Sequence, residues 1–199
     1  MEIDFAFPHE YEVNEVGDYP GDGKFGSPVF FYPVPENRIR NGASWLRIKA
    51  RGSEPWIGAF AFGDTSPSAL SRVVSTPDPR RLCVISNGAA YVVSVDEPHV
   101  WDEIYIFPVL DARPVVSHGL LLLSDFTHIA AYGVAALAWK SPRVCWDDLK
   151  IANVTPDTVE GAGYDPTNSL SPAMRFVVDL KTGRSLLPAP VSGDGKPVW

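Results

Sequence analysis

At 199 residues and 21.7 kDa the chain has the size of one ordinary domain, or two very small ones, and can bury a core without disulfide or metal staples. Its net charge of −7 and pI near 5.0 argue against a nucleic-acid footprint. Nine Glu, six Lys and no Gln are too few to clothe the solvent faces of amphipathic helices. Against them stand 22 Val, nine Ile and 23 aromatic residues, which suit a pleated, half-buried surface.

In chain order, Met1-Glu2-Ile3-Asp4 has neither a basic segment nor an apolar run, which predicts no secretory leader. Ile3 to Phe7 and Val29 to Tyr32 read as strands in a turn-rich first stretch, the second ended by Pro33 and Pro35. Strands then recur over Trp45 to Ala50, Trp56 to Phe62, Leu82 to Ser86, Ala89 to Val95, Ile104 to Leu110 and Val115 to Leu123. Later strands are expected over His128 to Tyr132, Val134 to Lys140, Leu149 to Val154 and Met174 to Leu180. Asn87-Gly88 between two apolar runs predicts a hairpin with a type I′ turn. Asp179 to Gly183 predicts a second tight turn, and Ser66 to Arg72 a helical one. Sixteen Gly and 19 Pro punctuate these runs without clustering in a linker. The expectation is one all-β domain over 1–187, an antiparallel sandwich or a set of blade-like, propeller-like β-units, followed by a loose tail over 188–199.

The apolar stretch from Leu120 to Trp139 is interrupted by Ser124, Asp125, Thr127 and His128. A central Asp is costly in a bilayer, so the stretch reads as two buried strands and a turn, with no membrane partner implied. Cys83 and Cys145 form no disulfide framework and fit a reducing, cytoplasmic compartment.

A self-similarity with an offset of about 45 residues relates segments 82–109 and 127–154. Each reads as strand, Gly turn, strand and Pro, then a Trp-Asp-acidic triplet: Trp101-Asp102-Glu103 in the first, Trp146-Asp147-Asp148 in the second. Over residues 82 to 154 the period and the Trp-Asp dipeptide resemble the blades of WD-repeat propellers. The pattern departs from that family in two ways. No Gly-His precedes either copy at blade spacing, and Trp-Asp here opens a strand instead of ending one. No family assignment follows from it.

Gly21-Asp22-Gly23-Lys24-Phe25-Gly26 satisfies G-x-G-x-x-G, yet Ser27-Pro28 and an aromatic strand follow where a phosphate site needs a helix N-terminus. Asp18 and Asp22 lack the twelve-residue calcium-loop pattern, so both motifs read as turns. His9, His99, His118 and His128 show no zinc spacing, and no metal or cofactor is indicated. Neighbouring carboxylates of each Trp-Asp triplet point to opposite faces of an extended strand, which precludes their joint use as acid and base. With no complete catalytic constellation, the first reading of function is a non-catalytic module that docks a protein partner. Arg143, Trp146 and Asp148 are its candidate contact residues, because Trp and Arg are enriched at binding hot spots. One alternative is a small hydrolase-type enzyme with a site near His128, Asp125 and Cys145. Another is a structural subunit of an oligomer, with Leu120 to Leu123 as its interface strand.

Overall fold

The computed structural model describes residues 1–17, 26–33, 42–64, 69–166 and 173–187. Among them run sixteen strands and a single 3-10 turn at Val116–His118, with no α-helix, so the all-β expectation holds. The chain divides into two compact units, Met1–Leu110 and Asp111–Trp199.

In the first unit the strands are β1 (Glu2–Asp4), β2 (Tyr11–Glu15), β3 (Val29–Tyr32), β4 (Ala43–Ala50), β5 (Trp56–Ala61), β6 (Arg72–Ser75), β7 (Arg81–Ser86), β8 (Ala89–Ser94) and β9 (Trp101–Ile104). They form two sheets with the orders β1-β6-β7-β8-β9 and β2-β4-β5-β3. Most pairs are antiparallel; β1 on β6 and β3 on β5 are parallel. The β4 residues alternate strictly, turning Ser44, Leu46, Ile48 and Ala50 inward and leaving Lys49 in water. Leu46, Ile48, Trp56 and Phe60 from one sheet meet Val73, Leu82, Val84 and Tyr91 from the other in one core. This is sandwich packing, and hydrogen bonds between the sheets fix its register. Ser44 and Ser86 share a 2.9 Å bond while Ser86 Oγ donates to the Phe60 carbonyl. The Tyr91 hydroxyl donates to Ala61 O, and the Trp56 indole to Val95 O.

The second unit holds β10 (Asp111–Val115), β11 (Leu120–Ser124), β12 (Ile129–Tyr132), β13 (Leu137–Lys140), β14 (Asp147–Val154), β15 (Thr158–Tyr164) and β16 (Ala173–Asp179). All pairings here are antiparallel, in the sheets β10-β11-β12-β13 and β14-β15-β16. Leu122, Ile129, Ala131 and Trp139 close a separate core against Leu149, Ile151, Val159, Phe176 and Val178.

The Asn87-Gly88 hairpin forms as expected: φ is +43° and +81° at the two loop positions, and Ser86 pairs with Ala89 across them. At the second turn, Asp179 Oδ1 gathers the amides of Lys181 and Thr182 and Gly183 takes φ +72°. The strand expected over Ile104 to Leu110 is displaced. β9 ends at Ile104, and the next strand is β10, an edge strand that tolerates Pro114 because one side of its ladder is open. Leu121, Leu122 and Leu123 are fully buried on β11, which lies between β10 and β12. Leu121, Leu122 and Leu123 thus belong to the interior of their unit, while Leu120 at the start of the strand is half-buried.

The two similar segments do not repeat one hydrogen-bonding plan. After the β7–β8 hairpin the chain returns as β9 beside β8, whereas after the β12–β13 hairpin it leaves that sheet and opens a new one as β14. The expected tail over 188–199, positions 21–25 of the glycine motif with the aspartates at 18 and 22, and positions 66–68 of the helical turn lie outside the described residues; Arg72 itself opens β6.

Candidate functional site

The loop between β11 and β12 is built around one carboxylate. Asp125 Oδ1 accepts the amides of Thr127 and His128, each at 2.7 Å, and the Thr127 hydroxyl at 3.2 Å. This is the Asx turn that Ser-Asp-Phe-Thr favours, closed by the Asp125 amide on the His128 carbonyl. The carboxylate is buried, and its lone pairs go to the loop's own donors. The turn also carries His128 out of the barrier of β12. Its side chain keeps 30% of its exposure. Its Nδ1 lies 2.7 Å from the Thr127 hydroxyl and 3.6 Å from Asp125 Oδ1. Partial burial lowers its pKa below 6.5 and outweighs the pull of Asp125 in the other direction.

Residues 141–146 cross beneath this turn. Val144 N donates to Thr127 O and Leu149 N to Phe126 O, so the loop and the start of β14 are tied together. Cys145 is buried beneath them, in room left by Gly163 of β15: a Cβ on that glycine would collide with the thiol. The Cys145 Sγ donates to the Phe126 carbonyl at 3.4 Å. Burial pushes its pKa up to about 12, against a smaller opposing effect of Arg143. A nucleophile needs the thiolate, and this environment holds the thiol. Sequence thus places Asp125, His128 and Cys145 around one loop crossing, where the first fixes the turn and the last packs its underside.

Arg143 and Trp146 are also brought together. The guanidinium lies 5.0 Å from the centre of the Trp146 ring, in cation–π range. Its Nε donates to Cys145 O at 3.0 Å and an Nη to Trp146 O at 2.7 Å, so the arginine braces the segment that carries its own aromatic partner. Both side chains are half-buried. Asp148 stands apart from this pair. It is exposed, takes φ +52° and reaches Lys150 Nζ at 3.1 Å. That left-handed residue sits where the β14–β15 ladder shifts register between Asp147 and Lys150.

Two residues that sequence reasoning passed over flank the segment. Phe126 projects from the Asx turn with 38% exposure, and Tyr164, 46% exposed, accepts the Trp146 amide on its carbonyl. Strand pairing brings Tyr164 to Trp146, and the Phe126 carbonyl is tied to Cys145 and Leu149, all across sequence separations for which the sequence carries no local signal. In the other triplet, Asp102 pairs with Arg81 at 2.7 Å, and Trp101 packs edge-on against Tyr32 at the margin of the first core. Among the described residues no three His, Cys, Asp or Glu side chains converge as a metal would require, and no helix is long and apolar enough to cross a membrane. Set against known proteins, the chain matches no family model and no curated protein.

Proposed function

We propose that the chain is a non-catalytic interaction module that docks a protein partner through the surface formed by Arg143, Trp146 and Asp148, in a reducing compartment such as the cytoplasm. The observation that carries the reading is the Arg143–Trp146 stack, pinned to two backbone carbonyls of its own loop. Large side chains held in place before binding lose little entropy on docking, which is how an aromatic–arginine pair becomes an anchor. Phe126 and Tyr164, whose backbones bond to this segment, leave further apolar surface exposed, and Asp148 supplies a charged margin. The net charge of −7 favours a basic partner face. The hydrolytic alternative at His128, Asp125 and Cys145 has less in its favour, since a protonated buried thiol and a carboxylate committed to loop amides leave no activated nucleophile.

A photo-crosslinking amino acid at position 148, used in the native cell, identifies the partner, which is then purified and titrated. Trp146→Ala is expected to weaken binding by roughly tenfold or more, as for a hot-spot aromatic. Glu12→Ala, on β2 of the first unit, serves as the control. Equal affinity of the Trp146 variant and the parent chain would overturn the proposal.

A further inference from the structure

The first unit carries a second surface with a built character. From Glu103 to Pro108 burial alternates: Ile104, Ile106 and Pro108 turn inward, while Glu103, Tyr105 and Phe107 face out. The three outward residues line one wall of a cleft of about 530 Å³. Such a volume lies within the roughly 300–1,000 Å³ typical of ligand sites. The floor is made of small residues, Ala61, Gly63, Ala89 and Ala90, with Tyr91 and Phe62 completing the sides.

This wall is held in place. Val109 N donates to Gly88 O at 2.8 Å and Leu70 N to Val109 O at 3.1 Å, which clamps the end of the segment over the β7–β8 turn. Gly63 N donates to Ser86 O, and the Phe107 ring packs so closely over Gly63 that an added Cβ would meet it at 2.7 Å. Phe107, fixed by its surroundings yet 56% exposed, and Tyr105, 83% exposed, together leave an apolar wall open to solvent.

The chemistry of the lining selects the occupant. Among the described residues Glu103 is the one charged residue of the cleft and no cation pairs with it; the neighbouring Asp102 is the one that Arg81 engages. The exposed rings of Tyr105 and Phe107 add aromatic surface with its negative quadrupole faces, while Tyr91 is buried behind them. Glu103 is also close enough to the Tyr91 phenol to help raise its pKa to about 12, after burial. A carboxylate beside aromatic faces, above a floor wide enough for an alkyl stem, matches a cation carried on a chain of methylenes. The cleft lies open along the edge strand β9 and offers one carboxylate only, so a small free amine would gain too few contacts to stay. A polypeptide can add more along the edge, and the acidic chain attracts a basic one.

We propose that this cleft receives a lysine or arginine side chain presented by a partner polypeptide. The site is independent of the Arg143 surface, so either can fail without the other. The test is a titration of the isotope-labelled full chain, followed by amide shifts in NMR spectra. The probes are Nα-acetyl-lysine N-methylamide, its norleucine analogue with the same stem and no charge, butylamine, and a flexible hexapeptide containing one lysine. The lysine derivative and the hexapeptide are expected to shift amides at 61–63, 89–91 and 103–107, with millimolar affinity for the former and tighter binding for the latter. Glu103→Gln should weaken both by about tenfold, and Phe107→Leu, which keeps bulk but removes the ring face, by about threefold, from the size of cation–π contacts. Trp146→Ala should leave the titration unchanged. Equal binding of norleucine would make the cleft a plain apolar groove, and butylamine binding without the hexapeptide would make the ligand a free amine. Either result, or an absence of shifts at these amides, overturns the proposal.

Discussion

The side chains around the β11–β12 turn illustrate how residue types used in catalysis can be spent on structure. Asp125 holds the amides of Thr127 and His128, and Cys145 fills the space that Gly163 leaves. That Asp125, His128 and Cys145 lie near one another was an expectation of the sequence; the position of His128 was less legible, since an Asx turn displaces it from the strand that its apolar neighbours suggest. Both cysteines are buried, and burial pushes each thiol up to about 12. In the native protein, therefore, neither should react with a thiol-specific reagent at pH 8 over minutes, and both should react once the chain is unfolded in guanidinium. Rapid native labelling at Cys145, located by mass spectrometry, would contradict the buried geometry. His128 predicts a pH effect of definite sign. Its folded pKa lies below the ordinary 6.5, so from pH 6.5 downward the unfolded chain binds the proton more readily. Stability is thus expected to fall as pH drops through that window, and the difference from a His128→Gln variant, followed by urea unfolding, isolates the slope. A slope of opposite sign in that difference would mean that Asp125 dominates over burial.

At the scale of elements, strands built from Val, Ile and aromatic runs and the Asn-Gly hairpin were readable, because local composition and strand pairing agree there. Four strands were missed: β2 and β6, which are runs of only five and four residues, and β10 and β15, which carry strand-breaking residues. β15 reads Thr-Val-Glu-Gly-Ala-Gly-Tyr, with two glycines that exist to admit Phe176 and Cys145, and β10 contains a proline. Their pairing partners decide them, and those partners are distant in sequence. The same distance hides the divergence of the two similar segments, since nothing local tells β9 to stay beside β8 and β14 to leave. The β7–β8 turn offers the sharpest test of an element. Gly88 combines φ +81° with a Cβ position 2.8 Å from the Pro108 side chain. Gly88→Ala is expected to cost about 2 kcal/mol, from left-handed strain plus the collision, while Asn87→Gly should be nearly neutral; chemical denaturation of the two variants makes the comparison.

For the whole molecule, composition announced the all-β class, whereas the number of cores was not legible, since no linker composition separates them. The clusters around Leu46 and around Leu122 belong to different units. We propose that residues 1–187 nevertheless unfold as one cooperative domain, as the uninterrupted chain suggests. Calorimetry should then give a single transition with equal calorimetric and van't Hoff enthalpies. Two transitions, one lowered by Leu46→Ala and the other by Leu122→Ala, would refute this. The sheet edges bear on a different property. β9 presents Asp102 and Glu103 along its length, and β14 breaks its own ladder at the left-handed Asp148. Open edges of that kind refuse a foreign strand, as flat and uncharged edges do not. A protein this rich in valine and aromatic residues should consequently stay free of fibrils through prolonged agitation at high concentration. Asp102→Val combined with Glu103→Thr should restore an adhesive edge and bring on thioflavin fluorescence, making the acidic pair a safeguard against fibre growth at high concentration.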